Sequence, residues 1–343
     1  MKVPANRGMP LARAAVGALL LVSAGLVGES LAAGPAKIRV GGRSEPLIIA
    51  EGKGWFAQEG VEVEVTEVRN FMQYPILLAS GNIDLLDGYL PPNFWNMIIE
   101  GASFRIVAGS ALAVAARGNE PARNVRGYVV RKDLYDSGAV KSVKDLEGRK
   151  LADFAPVPPK GQISPFPIGH KVFGESFRHI NWVRVANEAD ILRALEQKDV
   201  DGARMRTRWV KLAVKKGLAV ELVKETDFVP EIQVRALAGP QAFLAANREA
   251  VVRFLRVYLR AQQYAREVQQ GKHTEEYLSF VKKFSDVPSD LALELLQEVE
   301  ITDRLALDDL LDTQKHFVMV RSQKQVIPLE SIVDMSYLNA AKK

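Results

Sequence analysis

The chain of 343 residues contains no cysteine and only four histidines. The lack of cysteine excludes disulfide bonds, thiolate metal sites, cysteine nucleophiles and a lipid-modified N-terminal cysteine. No two histidines stand at the HxH or HxxxH spacing of zinc sites, so no metal is expected. The GxSxG, HExxH, Gly-Lys-Ser/Thr and GxGxxG motifs are also missing. We therefore expect no catalytic residues, no cofactor and no enzyme activity.

Neither sign of charge is in large excess. The chain has 46 Lys and Arg against 41 Asp and Glu, a formal net charge of +5. Such a mild excess, without a clustered basic stripe, is not typical of nucleic-acid binding, so no nucleic acid partner is expected. The length is sufficient for two domains, and 48% hydrophobic with 25% charged residues is ordinary for a globular protein.

One uncharged apolar run stands near the N terminus, at residues 14–28, behind Lys2, Arg7 and Arg13. It is shorter than the about 20 residues that a membrane span needs. Small residues at positions 30 and 32 complete the pattern of a signal peptide. We expect residues 1–32 to be a signal peptide that is cleaved near Ala32, and a periplasmic protein. An uncleaved N-terminal anchor is the alternative.

The remaining sequence alternates between strand and helix patterns. Short apolar or alternating runs predict strands at residues 38–40, 61–65, 83–86 and 104–108, and then at 128–130, 150–152, 182–185 and 200–203. Asn187, with Asp190 three residues later, predicts a helix start. Strands that alternate with helices indicate an α/β fold with largely parallel sheets.

Two segments follow the same plan. Leu77–Asp84 and Ala194–Asp201 each contain a helix end, a turn, an apolar residue and an Asp that enters a strand. This similarity indicates two lobes, although the few geometries available to such turns also account for it. With no low-complexity linker in the chain, we expect ordered crossings between the lobes at Gly127–Val130 and Ile232–Leu237.

The last third of the chain is predicted to be helical. Asn247 precedes an apolar stripe with i, i+3, i+4, i+7 spacing, which predicts a long helix facing a core. The stripe consists of Val251, Phe254, Leu255, Tyr258 and Leu259. Further helices are predicted at residues 277–284, 291–299 and 307–321.

Five phrases in order resemble the periplasmic solute-binding proteins of ABC importers, of the nitrate, sulfonate, taurine and thiamine-precursor type. These phrases are Ala50–Gly60, Leu77–Asp84, Ser142–Leu151, Ala189–Gly202 and Pro240–Ala265. The resemblance covers nearly all of residues 37–320. It implies a two-lobed, type II-like α/β fold in which each lobe is a mostly parallel sheet flanked by helices.

The resemblance also implies a domain organisation and a place for the ligand. Lobe 1 would comprise residues 36–125 plus 238–320, lobe 2 residues 126–232, and residues 321–343 a C-terminal extension. The ligand would lie between the lobes, at the carboxyl ends of strands and near helix N-termini that suit anions. The protein would be a monomer.

In lobe 1 the candidate ligand-binding residues follow three predicted strands. Arg43 would clamp a carboxylate or sulfonate through two hydrogen bonds, or else it is a solvated surface residue. The aromatic and Met side chains would pack on an organic group, or else belong to the core. The candidates are Arg43, Ser44, Phe71, Met72, Gln73, Gly88 and Tyr89.

In lobe 2 the candidates are Gly161, Gln162, Arg204 and Arg206. Gly161 and Gln162 lie in a proline-rich stretch, residues 156–170, that departs from the family's Gly-Ser/Thr helix start and leaves the ligand class open. Arg204 and Arg206 alternate along a strand and therefore share one face. Either they meet an anion or they form a solvated basic rim.

Three functions remain open from the sequence. The resemblance implies the binding component of an ABC transporter, which captures a small organic anion by hinge closure and delivers it to a membrane permease. The aromatic residues favour a sulfonate, a taurine-like compound or an aromatic carboxylate over nitrate. The alternatives are an enzyme on the same fold, similar to a pyrimidine-precursor synthase whose Cys-rich motif is absent here, and a ligand-sensing orphan binding protein.

Overall fold

The computed structural model describes residues 36–68, 70–154, 162, 164 and 166–343. The expected signal peptide, residues 1–32, lies outside the described residues, as do Gly161 and most of the proline-rich stretch. The described chain belongs to one compact unit that ends at Lys343. None of its helices combines the length and the apolar character that crossing a membrane requires.

Within this part of the chain the strands are β1 (Ala36–Gly41), β2 (Val61–Thr66), β3 (Leu85–Gly88), β4 (Phe104–Val114), β5 (Arg126–Arg131), β6 (Lys150–Asp153), β7 (Asn181–Arg184), β8 (Gly202–Arg206), β9 (Ala219–Lys224), β10 (Glu231–Pro240) and β11 (Glu300–Ile301). All eight strands predicted from the sequence overlap these elements. The pattern did not predict β9, β10 or β11 as strands.

The α-helices are α1 (Glu45–Gly52), α2 (Trp55–Gln58), α3 (Tyr74–Ala79), α4 (Pro92–Ile99), α5 (Lys132–Asp136), α6 (Pro167–Phe173), α7 (Glu188–Glu196), α8 (Thr207–Lys215), α9 (Gln241–Ala246), α10 (Arg248–Gln269), α11 (Thr274–Phe284), α12 (Ser289–Gln297), α13 (Leu307–Met319) and α14 (Ser336–Ala341). The predicted start of α7 is confirmed, because the Asn187 side chain accepts a 3.0 Å hydrogen bond from the Asp190 N–H.

The strands form two separate sheets. The first has the order β11-β4-β10-β3-β1-β2, and the second has the order β7-β6-β8-β5-β9. We call the first sheet with α1–α4 and α9–α14 lobe 1, and the second sheet with α5–α8 lobe 2. The two-lobed α/β architecture is therefore confirmed, while the exact residue boundaries of the lobes stay a prediction.

Both sheets are mixed rather than mostly parallel. In lobe 1, β1 pairs parallel with β2 and β3, whereas β10 runs antiparallel to β3 and β4. In lobe 2, β6 pairs parallel with β7 and β8, whereas β5 runs antiparallel to β8 and β9. The antiparallel strands β5 and β10 are those that the chain enters directly from the other lobe, without a crossover helix to reverse its direction.

The chain passes between the lobes through residues 115–125 and residues 225–230. The two passages lie side by side, because the Ala115 N–H donates a 2.9 Å hydrogen bond to the Pro230 carbonyl. The prediction of crossings at Gly127–Val130 and Ile232–Leu237 is wrong, since these apolar segments lie inside β5 and β10. Their hydrophobicity reflects burial in a sheet rather than passage between lobes.

Helix α10 organises the core of lobe 1. The predicted stripe is confirmed, with Val251, Phe254, Leu255 and Tyr258 buried, and the Phe254 ring stacks on Phe56 at a centroid distance of 5.3 Å. The C-terminal segment also joins this lobe. α14 packs on α10, and the Ile106 N–H donates to the Ile332 carbonyl at 2.8 Å.

Candidate functional site

Two arginines face one another across the central strands of lobe 2. In the antiparallel pair of β5 and β8, Arg126 stands directly opposite Arg206. The ring of Phe154, which follows β6, lies 5.7 Å from the guanidinium carbon of Arg126 and 5.4 Å from that of Arg206. Like charges in directly opposed positions destabilise a sheet, and the aromatic face recovers only part of this cost.

Arg126 has no ion-pair partner among the described residues, and its Nε is buried there without a hydrogen-bond partner. Burial lowers the pKa of Arg126, and the neighbouring charges of Arg204 and Arg206 lower it further, whereas the charges of Glu225 and Asp153 act in the opposite direction. A buried polar group without a partner is costly. The site therefore favours an anion.

Arg204 is buried in a different environment. Its guanidinium lies 2.7 Å from Glu225 and 3.4 Å from Asp153, and all three residues are less than 9% exposed. Burial disfavours the charged form, but these two carboxylates outweigh it and raise the pKa of Arg204. Its charge is thus already compensated inside lobe 2. The anion-binding role expected for Arg204 remains a prediction, and the geometry makes it a supporting residue beside Arg126.

Arg206 keeps its side chain 37% exposed. Its closest described carboxylate oxygen, on Glu188, lies 3.9 Å from Nε, a loose ion pair. Glu188 is bound more firmly to the backbone, since the Arg206 N–H donates to it at 2.7 Å. The guanidinium of Arg206 is therefore available to a ligand. Its predicted role is compatible with this position.

Lobe 1 carries an aromatic pair formed by the residue after β3 and a residue of the loop before α3. Phe71 is 44% exposed, and its ring meets Tyr89 edge to face at a centroid distance of 5.8 Å. Burial raises the pKa of Tyr89, and the charge of Asp309 adds to this shift. The charges of Arg126 and Arg204 act in the opposite direction, so Tyr89 lies within electrostatic range of the lobe 2 arginines.

The rest of the loop before α3 lies at the same edge of lobe 1. The Asn70 side chain accepts a 3.1 Å hydrogen bond from the Met72 N–H, and Asn93 donates to the Met72 carbonyl at 2.8 Å. Met72 is half-buried and Gln73 is exposed. The loop is thus held in place from both sides. Contact of Met72 and Gln73 with a ligand stays a prediction.

The loop after β1 is occupied by internal contacts. The Arg43 guanidinium lies 2.5 Å from both Glu51 and Glu67, so an anion would have to displace a carboxylate to reach it. Ser44 is buried, and its hydroxyl lies 3.2 Å from that of Tyr258. Gly88 is likewise buried at the end of β3. The predicted ligand roles of these residues remain untested, and their observed contacts are structural.

A buried polar network lies beneath this loop. The Tyr258 hydroxyl donates to Asp87 at 2.6 Å and lies 2.7 Å from the Ser110 hydroxyl. Gly42 adopts a φ of +99°, and a Cβ there would lie 2.2 Å from the Asp87 carbonyl oxygen. Only glycine fits this close approach. The network therefore fixes the ends of β1 and β3 at the cleft.

The proline-rich stretch is described only in part. Gln162 is exposed. The carbonyl of Ser164 lies 2.8 Å from Nε2 of the buried His316 on α13, which links this stretch to lobe 1. Burial lowers the pKa of His316 to about 4. Among the described residues no group of three or more His, Asp or Glu side chains is arranged to hold a metal ion.

Comparison with known proteins agrees with this architecture. Residues 109–271 match the family model described as NMT1/THI5 like. The periplasmic aliphatic sulphonate binding protein SsuA from Escherichia coli superposes with a TM-score of 0.64 and 17% identity, over 90% of this chain and 100% of that one. The chain has the periplasmic-binding-protein fold. The resemblance inferred from the sequence is confirmed at this level.

Other solved structures share this periplasmic-binding-protein fold. The nitrate-binding protein NrtA from Synechocystis PCC 6803 has a TM-score of 0.58 and 16% identity, over 89% of this chain and 88% of that one. A mutant of DSZB in complex with biphenyl-2-sulfinic acid has a TM-score of 0.62 and 15% identity, over 90% and 99%. No curated protein sequence matches the chain significantly.

The sequence analysis missed two residues of the candidate site. Phe154 directly follows β6, so the rule that ligands lie beyond carboxyl ends of strands would have selected it. Arg126 begins β5, and only the antiparallel register with β8 brings it opposite Arg206. No local pattern in the sequence reveals that pairing.

Proposed function

We propose that the chain is the periplasmic binding component of an ABC importer, and that it captures a small organic anion between its lobes. The pair of Arg126 and Arg206 carries this proposal. Two cations are held on opposed strands around the Phe154 ring, and Arg126 makes no ion pair with any described residue. A bound sulfonate or carboxylate would supply the missing negative charge and accept charge-assisted hydrogen bonds.

The aromatic lining favours an anion with an apolar body. Phe154 lies on the lobe 2 side, and Phe71 with Tyr89 lies on the lobe 1 side. Aromatic faces and edges bury organic groups well and gain little from a small inorganic ion. We therefore propose a sulfonate, taurine-like compound or aromatic carboxylate rather than nitrate. The named functions of SsuA and NrtA, and the sulfinic acid bound to DSZB, support an anionic ligand.

Hinge closure would couple capture to delivery. The arginines belong to lobe 2 and the aromatic pair to lobe 1, so one ligand contacts both sets only when the lobes approach. Binding then shifts the population toward the closed form, which a membrane permease would recognise. We propose that the protein acts as an exported monomer and releases its ligand unchanged, without catalysis.

The purified protein is first unfolded and refolded to remove any bound ligand. Calorimetric titration then tests the proposal. The panel contains methanesulfonate, taurine, benzenesulfonate, benzoate and nitrate. We expect one organic anion to bind, and Arg126→Met to weaken its binding about 10- to 100-fold, since a charged hydrogen bond contributes about 1.5–3 kcal/mol. Arg206→Met should also weaken binding.

Arg178→Met is the matched control, because Arg178 is an exposed lobe 2 residue paired with Glu175. It should bind like the wild type. Equal affinity of Arg126→Met and wild type would refute the assigned site. Conversion of the ligand, followed by NMR during incubation, would indicate the enzyme alternative. A ligand that the protein binds but that is not imported, in a strain that carries the ABC transporter encoded next to this protein, would indicate a sensor.

A further inference from the structure

Two buried carboxylates accept hydrogen bonds from backbone N–H groups at the start of α8. The Arg206 N–H donates to Glu188 at 2.7 Å, and the Arg208 N–H donates to Glu298 at 3.1 Å. Both glutamates are 7% exposed. The first N–H groups of a helix lack partners within the helix and carry partial positive charge. The two acids therefore satisfy donors that would otherwise be unpaired.

These acids belong to different lobes. Glu188 begins α7 in lobe 2, close to α8 in the same lobe, whereas Glu298 follows α12 in lobe 1. The hydrogen bond from Arg208 to Glu298 therefore joins the lobes. The same end of α12 is also tied to the first passage between the lobes, because Arg123 donates to the Gln297 side chain at 2.9 Å. The Arg208–Glu298 hydrogen bond therefore lies where motion between the lobes would act on it.

Several charged groups decide the protonation of Glu298. Burial penalises its ionised form, the N–H and the charge of Arg208 favour it, and Arg206 favours it more weakly. The nearby carboxylate of Glu188 opposes it. Burial prevails and raises the pKa of Glu298 from 4.5 to about 7. When the lobes separate and water reaches the group, this penalty disappears.

We propose that Glu298 is a proton-controlled latch between the lobes, which holds them together when it is protonated and favours their separation when it is ionised. A neutral carboxyl group keeps its hydrogen bond with the Arg208 N–H and avoids repulsion from Glu188. An ionised carboxylate in the same place has lost its hydration. Separation of the lobes restores this hydration and stabilises the charge. The latch involves no ligand atom, so it can be tested independently of the proposed ligand.

The direction of the pH effect follows from linkage. The joined form binds the proton more tightly than the separated form, so acidification favours joining. With pKa values of about 7 and 4.5 in the two forms, the joined population should rise about tenfold relative to the separated one between pH 8 and pH 6.

Because the chain has no native cysteine, spin labels can be attached at introduced cysteines alone, and the distance between the lobes can be measured in ligand-free, refolded protein. Gln58→Cys in lobe 1 and Lys216→Cys in lobe 2 place two spin labels at exposed positions. Double electron–electron resonance then reports the distance between lobes. We expect the distribution to shift toward the joined form from pH 8 to pH 6. Glu298→Gln cannot ionise and should remain joined at both pH values.

Glu294→Gln is the matched control, since Glu294 lies exposed on α12, one turn before Glu298, and should leave the pH response unchanged. Glu188→Gln offers a second test that keeps Glu298 in place. It removes the repulsion and should move the transition to lower pH. A wild type without a pH response, or a Glu298→Gln variant that responds like the wild type, overturns the latch.

Discussion

The hydroxyl of Tyr258 donates a 2.6 Å hydrogen bond to Asp87 and so connects the long helix α10 with the end of β3. Asp87 is 2% exposed, and its second carboxylate oxygen has no hydrogen-bond partner. Asp87 therefore depends on Tyr258 for its described side-chain hydrogen bond. The contact holds the ends of β1 and β3 of lobe 1 in place.

Removing this hydroxyl should destabilise the protein. We expect Tyr258→Phe to lower the free energy of unfolding by about 1–3 kcal/mol, because the Asp87 carboxyl stays buried and loses this hydrogen bond. Urea denaturation measures the change. Tyr337→Phe is the control, since Tyr337 is also buried but no described hydrogen bond involves its hydroxyl. Equal effects of the two substitutions would contradict this role for Tyr258.

Loss of Arg204 should affect stability more than any other lobe 2 arginine. We expect Arg204→Ala to reduce the free energy of unfolding by about 3–5 kcal/mol, because Glu225 and Asp153 would be left buried near each other without their cation. Arg206→Ala, a control on the same strand, should cost less than about 1 kcal/mol, since its side chain is partly exposed and loosely paired. Chemical denaturation distinguishes these outcomes, and similar losses would argue against the buried triad.

Arg126 should behave in the opposite way in ligand-free protein. Replacing it with Met removes a desolvated charge that faces Arg206, so we expect the stability to rise by about 0.5–1 kcal/mol. Thermal unfolding without ligand and with saturating ligand tests this. The gain should reverse once a ligand is bound. A ligand-free Arg126→Met variant that is less stable than wild type would show that Arg126 has a structural role.

Asp309 should make stability depend on pH. Burial raises the pKa of Asp309 from 3.8 to about 6, so the folded state holds its proton more tightly than the unfolded state. The resulting stabilisation is present at low pH and is lost as the pH rises through about 6. Asp309→Asn should therefore be more stable than wild type at pH 7.5, by up to about 3 kcal/mol, and equal near pH 3.5.

Asp308→Asn is the control for this pH effect, since Asp308 is the exposed neighbour in the same helical turn. Its stability difference from wild type should be small at both pH values. Parallel curves of stability against pH for Asp309→Asn and wild type would show that Asp309 titrates normally in the folded protein.

Local patterns predicted most elements of the fold, because hydrophobic periodicity and caps act over a few residues. The α10 stripe and the Asn187 cap are examples. The mixed sheets were not predicted, since strand direction depends on where β5 and β10 enter from the other lobe. The packing of α14 on α10 was missed for a similar reason, because its partners lie far away in the sequence.

By itself, the amino-acid sequence determined the α/β class, the two-lobed plan and a set of polar and aromatic residues beside strand ends. Only the tertiary structure decided which of the lobe 2 arginines has its charge compensated by nearby carboxylates. Arg204 and Arg206 are equivalent in the sequence, two residues apart on one strand face. The carboxylates of Glu225 and Asp153 compensate the charge of Arg204, whereas the register with β5 sets Arg206 opposite Arg126. Electrostatic roles depend on distances between residues remote in the chain, and folding alone sets those distances.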